Sequence, residues 1–128
     1  MNISKFLINI TASIFTLYGV GFIFFPVEIS LLITDFAPTN ATALTDMRAT
    51  YGGMSAAIGL VLFVLASKPQ WEKLGVFAVL VFMLGMAIGR IVGLFVDGST
   101  SAVMYVYLAL EIVAFILSSY LLSKDQPQ

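Results

Sequence analysis

Three ionisable side chains stand inside long apolar stretches of this sequence: Arg48, Arg90 and Glu111. Tyr51 follows Arg48 by one helical turn, and Tyr107 precedes Glu111 by one turn. A guanidinium is a planar fork of N–H donors that can hold a carboxylate or phosphate through two parallel hydrogen bonds. A glutamate can orient that fork, or exchange places with an anionic ligand. The chemistry on offer is therefore anion binding. Arg48 and Arg90 would hold the anion, Glu111 would orient Arg90, and Tyr51 and Tyr107 would add hydroxyls. Tyr105 is one more hydroxyl nearby, although an interfacial tyrosine commonly serves as an anchor.

Those side chains need elements that can carry charge in such surroundings. The chain has 128 residues, 60% of them hydrophobic and only 10% charged. A soluble domain carries roughly 25% charged residues, so this chain could not cover a water-facing surface and lipid is its expected solvent. A net charge of −1 gives nucleic acid no basic face to bind. With no cysteine and no histidine, the commonest ligands of zinc, copper and haem are missing, and no cofactor or metal is expected.

Four stretches reach the roughly 20 apolar residues that a bilayer-crossing helix requires. They run from about 6 to 25, 47 to 66, 74 to 96 and 102 to 122, ahead of a polar tail at 123–128. The first could instead be a signal peptide, but its apolar core is longer than usual and no clear A-x-A site follows, so a retained helix is the expectation. Between the first two spans, about 27 to 35 reads as a short helix along the membrane surface, and Pro38, Thr39 and Asn40 read as breakers or caps. The expected architecture is an all-α, up-down-up-down four-helix membrane bundle in a single domain. Lys5, Lys68, Lys73 and Lys124 fall on one side of it, while Glu28, Asp35, Asp46 and Asp97 fall on the other. Lysine and arginine favour the cytoplasmic side, which puts both termini there.

In lipid, helices associate through close packing rather than by hiding apolar surface from water, so small residues matter. Gly85, Gly89 and Gly93 make one stripe, and Gly52, Ser55 and Gly59 another. Both are expected to pack inside the bundle, with a homodimer seam as the alternative. Arg48 lies on the second stripe; Ala87, Arg90, Gly93 and Asp97 share a face, as do Tyr107, Glu111, Ala114 and Ser118. Arg90 precedes Asp97 by seven residues, about 10 Å, and Glu111 follows Ser101 by ten, about 15 Å. Both depths run from the same end, so Arg90 and Glu111 are expected to pair. The three polar faces are expected to converge into a pocket.

The order RATYGG (Arg48–Gly53), then Gly89-Arg90, Asp97-Gly98 and the late Glu111 resembles an uncharacterised bacterial membrane family, numbered 4345 among the domains of unknown function. The resemblance covers nearly the whole chain. It implies a four-helix protein of the bacterial inner membrane and no particular activity. A looser resemblance is to the DoxX-like four-helix proteins, some of them linked to respiratory oxidation. A chain without histidine or cysteine does not inherit that role.

Four functions compete. The first is a non-enzymatic membrane protein whose pocket takes an anionic small molecule or lipid headgroup. The second is an accessory subunit or assembly factor of a larger membrane complex, in which the arginine–glutamate pair is structural. The third is a small proton-coupled transporter. The small multidrug exporters also carry one membrane glutamate, but in their first helix, whereas Glu111 is in the fourth and faces an arginine. The fourth is catalysis, which is not expected: acid–base groups are present but no nucleophile–base constellation is, and Asp97-Gly98-Ser99-Thr100 reads as a turn and cap.

Overall fold

The computed structural model describes residues 2–124, so residues 125–128 of the expected tail lie outside the described residues. The fold is all-α, and four segments are long and apolar enough to cross a membrane: Ile3–Phe24, Ala41–Ser67, Pro69–Val96 and Ala102–Lys124. Helix α1 (Ile3–Phe24) stops at Pro26, which has no N–H to continue the ladder. The short α2 (Pro26–Thr34) follows and ends at Asp35, whose φ of 55° reverses the chain. Helix α3 (Ala41–Met47) begins where the Asn40 side chain accepts from the Ala43 N–H at 2.8 Å. The second apolar segment thus starts about two turns before the apolar run itself, because a good N-cap nucleates a helix in the polar sequence ahead of it.

Arg48–Met54 is a π-helical segment, and α4 (Ser55–Ser67) continues from it. A single 3₁₀ turn, Pro69–Trp71, leads into α5 (Glu72–Val96). Gly98, at φ +89°, makes the turn into α6 (Ala102–Lys124), a backbone conformation that other residues adopt only under strain.

The described residues divide into two compact units, one of residues 9–64 and one of residues 2–8 together with 65–124. In the first, α1 and the π–α4 segment touch backbone to backbone. A Cβ on Gly19 would collide with the backbones of Gly52 and Ala56, and one on Gly59 would collide with Thr16 and Ala12. In the second, α5 packs along α6, and Gly75 admits the Ile8 side chain. Asn2 ties the ends of this unit together. Its Oδ1 accepts from the Ser4 N–H, capping α1, while its Nδ2 donates to both Glu72 oxygens at 2.7 and 2.8 Å.

The two glycine stripes behave differently. Gly52 and Gly59 are buried at close contacts. Gly85 and Gly89 are exposed with nothing within 4 Å of a Cβ added there, and Gly93 would meet only the Asp97 side chain. Within its own unit the stripe of Gly85 and Gly89 packs against nothing, for a geometric reason. The buried face of α5 carries Val76, Val79, Met83 and Ala87. Gly85 and Gly89 each lie two residues past a member of that face, about 200° around the helix.

Size tests follow directly. Gly59→Leu must displace backbone, and is expected to lower the detergent melting temperature by an amount corresponding to at least about 1–3 kcal/mol of overpacking strain. Gly85→Leu is expected to leave the melt, followed by circular dichroism, essentially unchanged.

Candidate functional site

On α5 and α6, Arg90 and Glu111 meet as the depth argument anticipates. Arg90 Nη2 donates to Glu111 Oε1 at 2.7 Å, and Nε donates to Oε2 at 3.1 Å and to Oε1 at 3.2 Å. The third guanidinium nitrogen, Nη1, donates to Met104 Sδ at 3.0 Å, a weak acceptor. The guanidinium carbon lies over the Tyr107 ring, 5.3 Å from its centroid and within cation–π range. The side chains of Arg90 and Glu111 are 21% and 7% exposed. Every nitrogen of Arg90 therefore has a partner within its own helical hairpin, and its charge is cancelled there.

Arg48 is arranged otherwise. It opens the π-helical segment, is exposed, and donates from Nη1 to the Ile23 carbonyl. That carbonyl is available because the chain breaks at Pro26. The Phe25 N–H closes the last turn onto Gly21 O at 2.7 Å, leaving the later carbonyls of α1 without helical donors. A cation at a helix C-terminus also complements the macrodipole. The segment that carries Arg48 comes this close because Gly52 has no side chain: a Cβ there would sit 2.7 Å from Ile23 Cγ1 and 3.0 Å from Ile23 N. Tyr51 stays exposed and rests its ring against Phe22, centroids 5.5 Å apart. In RATYGG, then, the arginine caps α1, the tyrosine packs on it, and the first glycine allows the approach. π turns occur frequently at functional sites.

The site residues thus fall into two groups. Arg90, Tyr107 and Glu111 come together on α5–α6, and Arg48, Tyr51 and Gly52 come together against the end of α1. Asp97, the C-cap of α5, does not bond to Arg90; its N–H closes the helix C-terminus on Gly93 O at 2.8 Å. Sequence reasoning did not single out Met104, although it lies one turn before Tyr107 on the same α6 face. It also did not single out the Ile23 carbonyl, which Pro26 signals by ending the ladder before the Val27 N–H that would otherwise reach that carbonyl. The π turn has no sequence signal beyond the permissive Gly52-Gly53 pair. Among the described residues, no group of three or more histidines, cysteines, aspartates or glutamates could hold a metal.

Breaking the Arg90–Glu111 pair on one side leaves an uncompensated buried charge. Arg90→Met alone or Glu111→Leu alone is expected to cost on the order of 3–5 kcal/mol, whereas the double replacement is expected to come back close to the parent. Thermal melts of the three variants check this, and a double variant as unstable as the singles would refute it.

Comparison with known proteins bears on the chain as a whole. The family described as domain of unknown function DUF4345 matches residues 3–122. No curated protein matches the chain, and no solved structure does. The looser DoxX-like resemblance is not reproduced by these comparisons. With a match running from the first turn of α1 to the last turns of α6, the chain belongs to the DUF4345 family.

Proposed function

We propose that this chain is a non-catalytic, multi-pass membrane protein that holds an anionic group at Arg48. The group is a carboxylate or phosphate, carried by a small molecule or by a lipid headgroup. The observation that carries the reading is the contrast between the two arginines within the apolar segments. Arg90 is neutralised by Glu111, but Arg48 is exposed, bonds only to a neutral carbonyl and pairs with no carboxylate among the described residues. A guanidinium has five N–H donors, and Arg48 spends one. Tyr51, three residues along the same segment and exposed, offers a hydroxyl to the same ligand. Arg90, Tyr107 and Glu111 then hold α5 to α6 instead of lining the binding site. The lysine-rich end faces the cytoplasm of a bacterial inner membrane, so Arg48 serves the outer side.

A second reading, an accessory subunit of a larger membrane complex, is favoured by Gly85 and Gly89, which stand open on α5 where a partner helix could approach closely. A proton-coupled exporter is disfavoured because both Glu111 oxygens are occupied by Arg90.

Native mass spectrometry of the protein extracted gently from its own membrane separates these readings. The expected spectrum carries a bound anionic molecule that Arg48→Ala loses and the Arg90→Met/Glu111→Leu pair keeps. A small metabolite and a phospholipid are told apart by mass. Retention of the anion in Arg48→Ala, or a partner complex with no bound anion, would overturn the proposal.

A further inference from the structure

Helix α2 is apolar but too short to cross a bilayer, and it joins no longer helical run, as α4 does through α3 and the π-helical segment. Its nine residues span about 14 Å, less than half of the roughly 30 Å hydrocarbon core. α1 has 22 residues, about 33 Å, so its end at Phe24 already reaches the edge of that core. The chain then turns back instead of running on. Were the helix continuous, Ile29 would stand about 12 Å beyond Gly21; instead, Ile29 Cδ1 lies 2.5 Å from where a Gly21 Cβ would be. Pro26 and Ser30 face inward and are buried. The Ser30 hydroxyl donates to the Phe36 carbonyl at 2.8 Å, drawing the chain after Asp35 back along the helix.

This leaves an outward face of mixed character. Leu32 is 77% exposed, and Leu31, Phe25 and Phe36 are exposed beside it. Glu28, three residues before Leu31 and four before Leu32, sits in the middle of that face, exposed and without a partner among the described residues. Such a face suits neither water nor hydrocarbon: its leucines and phenylalanines favour acyl chains, while its carboxylate must stay hydrated.

We infer that α2 lies in the plane of the membrane, its outer face seated at the headgroup–acyl boundary of the chain's own bilayer. Leu31 and Leu32 enter the top of the acyl layer, and Glu28 stays level with the headgroups and fixes the depth. The occupant of this face is lipid. The inference is independent of Arg48 and would stand if no anion were found there.

Tryptophan reporters test it. The native Trp71 is replaced by Phe, and Leu32→Trp and Leu31→Trp are made separately, so that loss of one variant leaves the other. Each is reconstituted in phosphatidylcholine vesicles. The expected result is strong quenching by lipids brominated near the top of the acyl chain, weaker quenching by lipids brominated near its end, and protection from iodide. Access to iodide would mean that α2 stands in water, and stronger quenching by the deep bromines would mean that it is part of a span. Protection from every quencher would mean that protein covers the face. Each of these three outcomes overturns the inference.

Discussion

One constraint organises these apolar segments: a charge or an unpaired backbone group set among apolar side chains must find its partner within the protein, as it would have to wherever no water can reach it. Arg90 and Glu111 meet it as a pair. The carboxylate takes two nitrogens of the guanidinium, Met104 takes the third, and the Tyr107 ring covers its face. The pair joins α5 to α6 near one end of their hairpin, while Asn2 and Glu72 join the start of α1 to the start of α5 at the other. Glu72 and Arg90 are 18 positions apart, about 27 Å along the helix.

Arg48 meets the same constraint from the other direction. The orphan there is a backbone carbonyl, created where Pro26 interrupts α1, and the arginine supplies the donor. Only a segment that approaches very closely could deliver it, which is the work of Gly52 against Ile23 and of Gly19 against the facing backbone. The break, the glycines and the arginine are one device, and RATYGG is intelligible only with the end of α1 in view. Because a carbonyl satisfies hydrogen-bonding capacity without cancelling charge, the device leaves a cation at the edge of the apolar segment. The functional reading rests on that remainder.

The all-α class and the four long apolar segments were legible because lipid leaves few alternatives: a span must be helical, apolar and about 20 residues long. The Arg90–Glu111 contact was legible because a tight turn at Gly98 fixes the register of two adjacent helices, so counting residues gives depth. Spacing alone was less informative about which way a glycine faces. Gly85 and Gly89 share a stripe with each other but lie opposite the buried stripe of their own helix, and residue type does not reveal which side of α5 is covered. The π-helical turn was illegible for a related reason. The periodicity argument assumes 3.6 residues per turn, and Arg48–Met54 departs from that assumption at the motif itself.

The two arginines thus differ in kind, one cancelled within the protein and one left available. Arginine-selective labelling with phenylglyoxal in native membranes, mapped by mass spectrometry, tests it most directly. Arg48 is expected to label readily and to be shielded by added anions, while Arg90 stays unmodified until the protein is denatured. Labelling of Arg90 as fast as Arg48 in the native state would contradict the account.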